Sequence, residues 1–258
     1  MNDSLLFRDV AVDLVRRAGA LLLDGLARVR QIERKAGAEL VTDIDHASEA
    51  LLVAGLSQHF PDHSIRGEEG GGASRPSPYT WLIDPLDGTN NYAHGFPFFC
   101  VTVALLLDGE PVLGVTLDPL RDELFVAEAG RGAWCNDRPL RVSAAAALAD
   151  ALVSTGFPYD FASNPANNAP EFARVHARVQ GVRRAGAAAL DLAYVAMGRL
   201  DAHWELRLKP WDAAAGALLV REAGGALSDW RGGRWTTESP DLIASNGLLH
   251  AELVAALD

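Results

Sequence analysis

Cysteine is nearly absent. Only Cys100 and Cys135 occur in 258 residues, each in an apolar or turn context and neither in a CxxC pair. A disulfide framework and a cysteine-rich zinc site are therefore unsupported. Basic residues are also in short supply: 23 Lys and Arg stand against 34 Asp and Glu, a formal net charge of −11. A surface of that sign repels a phosphate backbone, which argues against DNA binding. No apolar run reaches membrane-spanning length, and the N-terminus carries Asp3 and Asp9 where a secretory leader would be basic. The expectation is a soluble, cytoplasmic chain with no membrane partner. HExxH, GxSxG, P-loop and GxGxxG patterns are missing, and so are internal repeats and low-complexity segments.

Apolar residues make up 49% of the chain and charged residues 22%, enough to build a sizeable core. Leu6, Val10, Leu14, Ala18, Leu21 and Leu22 recur at helical spacing and predict a helix over 4–30. A second helix is expected over 44–59, capped by Asp43 or Asp45 and stopped before Pro61. Gly70, Gly71 and Gly72 with Pro76 and Pro78 read as a mobile loop. Strands are expected at 81–83, 98–107, 111–117 and 123–127, with Asp108-Gly109 as a hairpin turn. An Ala-rich boundary or short helix covers 143–150. Beyond it the pattern alternates. Strands are expected at 152–154, 182–184, 201–206 and 242–245, and helices at 170–180, 187–197 and 211–223 and at the C-terminus. Strands gathered in the first half and alternation in the second predict stacked layers of helix and sheet, an α/β (α+β) chain.

Four acidic places stand out: Asp45, Glu68 with Glu69, Asp84 with Asp87, and Asp212. Asp84 follows the apolar run Trp81-Leu82-Ile83. Pro85 cannot donate to a ladder, and Gly88 permits a sharp turn. Two carboxylates three residues apart around such a turn can share one space, where they need a cation or a shared proton. Hard ions such as Mg²⁺ suit them. The alternative is an exposed acidic turn with Asp84 as a cap. Gly88-Thr89-Asn90 can open a short helix whose free N–H groups suit a phosphate, or can be a cap without a ligand. Asp212 falls in the first turn of a helix, where an acid is favoured anyway. The small residues 213–216 behind it allow a close approach to another backbone, which would bring Asp212 inward. Other residues read as ordinary: His46, His59 and His63 as surface, Arg34 and Lys35 as a solvated basic pair, and Trp204, Trp211 and the phenylalanines at 96, 98 and 99 as core.

Together these segments resemble the inositol monophosphatase family. The resemblance rests on GEE at 67–69, WLIDPLDGTNNYAHGFP at 81–97 and KPWDAAAGALLVREAGG at 209–225. Weaker support comes from LVTDID at 40–45, RRAGAAALDLAYVAMGRLDAHWE at 183–205 and the turn GRGAWCN. The resemblance covers nearly the whole chain. It implies a layered α-β-α-β-α sandwich of the inositol monophosphatase and fructose-1,6-bisphosphatase type, two or three Mg²⁺ ions per site, lithium sensitivity and a homodimer. It places most metal ligands in an N-terminal half, 1–145. Asp212 and the substrate contacts fall in a C-terminal half, 146–258, of one compact unit.

By the same resemblance Glu68 matches a ligand of the first metal and Asp84 a bridging ligand. Leu86 matches a ligand through its backbone carbonyl, and Asp87 and Asp212 match ligands of the second metal. Thr89 and Asp45 match the pair that orients and deprotonates the attacking water. Gly88 and Thr89 match backbone donors to phosphate, and Ala188 and Glu205 match positions facing the alcohol. Lys35 falls near a family lysine on the metal-site loop, at a spacing to LVT that differs by a residue in some members. Ala187 stands where Ser or Thr is frequent. The implied activity is a Mg²⁺-dependent phosphomonoesterase acting on inositol monophosphate or a related small polyol or sugar phosphate. Relatives act on sugar bisphosphates, histidinol phosphate or phosphoadenosine phosphate. An aspartyl-phosphate phosphatase of the haloacid dehalogenase type also contains DGT, but its nucleophilic Asp would fall at Pro85. A reading of another class is a regulatory partner of RNA or the transcription machinery on the same fold.

Overall fold

The computed structural model describes residues 3–26, 32–34 and 40–258. The chain runs α1 (Asp3–Leu26), β1 (Ile32–Arg34), β2 (Leu40–Thr42), α2 (Asp43–His59), β3 (Ser64–Gly67), β4 (Gly72–Ala73), β5 (Tyr79–Asp87), α3 (Thr89–His94), β6 (Cys100–Leu107), β7 (Glu110–Asp118), β8 (Glu123–Glu128), β9 (Gly132–Cys135) and β10 (Arg138–Pro139). After one 3-10 turn (Leu148–Asp150) come β11 (Leu152–Thr155), α4 (Ala169–His176), β12 (Gly181–Arg183), α5 (Ala188–Ala196), β13 (Ala202–Glu205), α6 (Pro210–Glu222), β14 (Ala226–Ser228), β15 (Leu242–Ser245) and α7 (His250–Leu257). Lys35 lies outside the described residues. Among them, no helix is long and apolar enough to cross a membrane.

Strand alternation explains the layering. In β5, β6 and β7, Trp81, Ile83, Val101, Val103, Leu105, Val115 and Leu117 face one way. They bury against Leu14, Leu22, Leu52 and Leu56 of α1 and α2. Leu82, Ala104 and Leu106 face the other way, onto Ala214 and Ala215 of α6. The eight-stranded sheet, ordered β10-β9-β8-β7-β6-β5-β3-β4, thus has helices on both faces. α5 and α6 pack on each other and reach the second sheet, ordered β12-β11-β13-β15-β14, whose far side is covered by α4 and α7. The sandwich is α-β-α-β-α, as the resemblance implies.

Close packing in the middle layer depends on missing side chains. A Cβ on Gly114 of β7 would sit 2.9 Å from both Cα and O of Ala215. One on Gly216 would sit 2.5 Å from Cβ of Leu192 in α5. The small-residue run at the start of α6 therefore does bring that helix against sheet and helix at once.

Several local expectations change. The cap of α2 is Thr42, whose hydroxyl accepts from the backbone of Ile44 and Asp45, while Asp45 accepts from the Thr42 N–H. Asp45 completes this reciprocal box instead of capping alone. Part of the glycine loop is strand: Gly72–Ala73 pairs with β3. Glu49, buried in α2, holds that segment by accepting from the backbone of Glu69 and Gly71 at 2.8 and 2.7 Å. Phe96 is exposed, not core. His63 is not a plain surface residue. It stacks on Phe60 and Tyr79 and accepts from the Trp81 indole at 3.1 Å.

Candidate active site

The short apolar strand read at 81–83 is a nine-residue strand, and the expected DPLD turn lies inside it as a bulge. Asp84 pairs with Thr102 and Asp87 with Cys100, so three residue steps on β5 face two on β6. Pro85 has no N–H for the ladder, which is the local reason for the break. In a regular strand, residues three apart point to opposite faces. One extra residue cancels that alternation and turns Asp84 and Asp87 into the same cleft.

That cleft, about 320 Å³, is lined by Glu68, Asp84, Leu86, Asp87, Gly88, Thr89, Ala188, Glu205 and Asp212. They arrive from the end of β3, the β5 bulge, the start of α3, the start of α5, the end of β13 and the first turn of α6. Asp45 sits behind the wall, fully buried, and touches the cleft through Thr89. Asn91 ties the segment before β6 to the segment before α5 at this point: its amide donates to the carbonyls of Phe98 and Ala185 at 2.6 and 2.8 Å. Gly88 caps α3 with φ +94, a left-handed conformation, and a Cβ there would meet the Phe98 carbonyl at 3.0 Å.

Each acid is held by its neighbours. Asp84 accepts from the Leu86 N–H at 3.0 Å. Asp87 Oδ2 accepts from the Ala189 N–H at 2.7 Å, which docks the start of α5 onto β5. Asp212 accepts from the Lys209 N–H at 2.8 Å as the third helical residue of α6. Asp45 Oδ2 accepts from Thr42, and its Oδ1 accepts from the Thr89 hydroxyl at 2.9 Å. The same hydroxyl lies 3.0 Å from the Leu86 carbonyl.

Electrostatics single out the cluster. Burial pushes the Asp84 carboxyl well above the usual range, reinforced by the charges of Glu68, Asp87 and Asp212. Burial likewise raises Asp212, with Asp87 the next cause. Asp87 is pushed up to about 7, burial leading and Glu205 and Glu68 adding, against the Ala189 N–H that lowers it. Asp45 is raised by burial and partly restored by its bonds to Thr42 and Thr89. Acids crowded this way must keep protons or take up a cation. Carboxylates and a carbonyl are hard oxygen donors, the ligand type of Mg²⁺. As they stand, no three His, Cys, Asp or Glu side chains among the described residues converge closely enough to hold an ion. The carboxylates share a cleft wall.

The cleft also contains residues that the sequence reading passed over. Asp191, buried on α5, lines it beside Glu205. Its signal was a lone acid inside the apolar run of α5. Arg184, Arg207 and Lys209 line the outer rim. Arg207 has φ +63 and pairs with Asp160 at 2.5 Å. Trp211 packs against Leu82, Ala104, Leu106, Ala214 and Ala215, as expected of a core residue, and also lines the cleft, with the Arg66 guanidinium 5.1 Å above its ring.

Over residues 4–258 the chain matches the sequence model of the inositol monophosphatase family. Inositol-1-monophosphatase of Synechocystis sp. is 42% identical over 258 residues, 99% of this chain and 90% of that protein. Nus factor SuhB of Pseudomonas aeruginosa is 45% identical over 245 residues, 92% of this chain and 90% of that protein. Among solved structures, inositol monophosphatase from Anabaena (Nostoc) sp. superposes with a TM-score of 0.91 at 43% identity, covering 99% of this chain and 96% of that one. Extragenic suppressor protein suhB from Bartonella henselae gives 0.93 at 40% identity, covering 98% of each chain.

Proposed function

The chain belongs to the inositol monophosphatase family, and from that premise we propose a Mg²⁺-dependent phosphomonoesterase that hydrolyses inositol monophosphate or a related small polyol phosphate. The observation that carries this reading is the Thr89–Asp45 hydrogen bond opening onto a cleft walled by Glu68, Asp84, Asp87 and Asp212.

Glu68, Asp84, the Leu86 carbonyl, Asp87 and Asp212 would hold the metal, two or three ions per site. When bound, Mg²⁺ supplies Lewis acidity toward the phosphate oxygens, the attacking water and the leaving oxygen. Thr89 has one hydroxyl proton and directs it to Asp45. Its lone pairs are then left to accept a hydrogen bond from a water in the cleft. Asp45, raised by burial, is suited to take the water's proton through that hydroxyl. Gly88 and Thr89 direct backbone N–H groups toward the phosphate, and Ala188 and Glu205 face the alcohol. Attack is in line, with no phosphoenzyme.

Residues 1–145 and 146–258 act as two halves of one unit, since Asp212 completes the acidic wall that Glu68, Asp84 and Asp87 begin. A cytoplasmic homodimer and inhibition by lithium belong to the same reading. A panel of phosphate esters at saturating Mg²⁺ tests it: inositol monophosphates, fructose 1,6-bisphosphate, histidinol phosphate and phosphoadenosine phosphate. The expected result is the highest kcat/KM on inositol monophosphates, abolished by a chelator and reduced by lithium. Turnover that survives metal removal overturns the reading. Absence of phosphate release from every ester would favour the second reading, a regulatory binding protein, which the 45% identity to a Nus factor supports.

A further inference from the structure

β13 carries two ionisable side chains on one face. His203 and Glu205 are two residues apart on the strand and so point the same way, toward α5. Ser154 is the register partner of His203 on β11. His203 is fully buried. Its Nδ1 lies 2.9 Å from the Ser154 hydroxyl and 4.0 Å from Asp191 Oδ2. Its Nε2 lies 3.4 Å from Glu205 Oε2 and, among the described residues, makes no aligned hydrogen bond. Gly156 leaves room for this arrangement, because a Cβ there would fall 1.8 Å from Glu205 Oε1.

Proton placement on the ring follows from its two neighbours. Nε2 is shut off from solvent, so a bare lone pair there facing a carboxylate would put two acceptors together, at a cost. A proton on Nε2 removes the conflict. In the neutral ring, Nδ1 then accepts from Ser154. Burial, with the charges of Glu205 and Asp87, raises the Asp191 carboxyl well above its usual range. In the imidazolium, Nδ1 donates to Ser154 instead. Either way Nε2 carries its proton 3.4 Å from Glu205 Oε2.

We infer that His203 is a positioning residue for Glu205: its Nε2–H holds Oε2 and leaves Oε1 to accept hydrogen bonds from substrate hydroxyls, so the pair selects hydroxyl-bearing phosphate esters over simple ones. This rests on the reading of Glu205 as the residue that faces the alcohol. None of the signals in the sequence pointed to His203, a lone histidine in an apolar strand.

The test compares wild type, His203→Phe and His203→Gln on inositol 1-phosphate and on p-nitrophenyl phosphate, with Mg²⁺. His203→Phe keeps a ring and loses both nitrogens, whereas Gln keeps a donor near the Nε2 position. His203→Phe should raise KM for inositol 1-phosphate about 10-fold with kcat little changed, and leave both parameters for the aryl ester near wild type. His203→Gln should recover most of that loss. In a Glu205→Ala background, His203→Phe should add nothing. Equal losses on both esters, an unchanged KM for the polyol ester, or full additivity with Glu205→Ala would each overturn the assignment. A second readout needs no turnover. In ¹⁵N-labelled protein the His203 side-chain Nε2–H should resonate as a protected proton and shift in Glu205→Gln, and its absence, or no shift, overturns the assignment even if His203→Phe does not fold. Failure of the phosphatase reading itself is distinguishable, as it removes turnover of both esters in the wild type while leaving the resonance in place.

Discussion

Thr89 and Asp45 show how one side chain can serve fold and chemistry together. Asp45 closes the capping box of α2 with one oxygen and receives the Thr89 hydroxyl with the other. Asp45→Asn keeps the size but weakens the acceptor, and Thr89→Ala removes the relay. Each should lower kcat by roughly 10²-fold or more while Mg²⁺ affinity, read by titration calorimetry, changes far less. Asp45→Asn should also cost about 1 kcal/mol of stability through the weakened cap, whereas Thr89→Ala should not, because only Asp45 belongs to the box. Unchanged kcat in both variants would remove the pair from the reaction. Of the residues in the cleft, Glu68, Asp84 and Asp87 were readable because each stands beside Gly or Pro in motifs that break the apolar pattern. Asp191 and His203 were not, because a buried ionisable residue looks like any other until its neighbours are known.

At the scale of elements, the cleft depends on how closely α6 lies on β5, β6 and β7. Gly114 meets the Ala215 backbone, and Gly216 meets the Leu192 side chain. The first contact has no flexible side chain that could give way. Gly114→Ala should therefore push α6 outward and carry Asp212, in its first turn, away from Asp84 and Asp87. The expected cost is about 1–3 kcal/mol, read by denaturant titration, together with a weaker Mg²⁺ requirement curve and a lower kcat. A variant that loses stability and keeps wild-type Mg²⁺ dependence would show that α6 position and metal holding are separable. The β5 bulge is the companion feature. Pro85 and Gly88 announced an irregularity in the sequence, but they suggested a turn after a short strand. The strand in fact runs on to Asp87 because its flanking residues pair with β6 on both sides of the break.

The whole molecule gathers its acids from both halves of the chain, so metal should report on the assembled fold. Mg²⁺ binds the native site and not the scattered ligands of the unfolded chain, adding RT ln(1 + [L]/Kd), about 2.7 kcal/mol at a hundredfold excess over Kd. Asp87→Asn should shrink the Mg²⁺-induced rise in Tm and leave the metal-free protein at least as stable as wild type. An undiminished shift would show that Asp87 is not a ligand. The metal-free protein should also depend on pH in a defined sense. Asp84, Asp87 and Asp212 have raised native pKa values, Asp87 about 7, against about 3.9 in an unfolded chain. Between those values the native state binds more protons than the unfolded one, so stability falls as pH rises. Thermal melts with chelator should show Tm dropping between about pH 5 and about pH 8, and saturating Mg²⁺ should flatten that slope. A Tm that rises over this window in chelator would contradict the crowding of the carboxylates.

Sequence by itself determined the layered class, the positions of most helices and the chemistry of the wall. Helical periodicity over α1, the apolar runs of β5 to β7, and motifs containing Glu68, Asp84, Asp87, Thr89 and Asp212 are local properties, legible over a few turns or a few residues. Composition alone set aside disulfides and argued against DNA binding. Tertiary structure decided what depends on distance between segments. It put Asp84 and Asp87 on one side through a bulge whose register is set by β6. It set α6 against the sheet through the absence of side chains at Gly114 and Gly216. It also placed Asp191, His203 and Ser154, from α5, β13 and β11, around Glu205, where burial and mutual charge give them a role their own neighbours in sequence do not reveal. Burial is a property of the surroundings, and those are assembled from residues far apart in the chain.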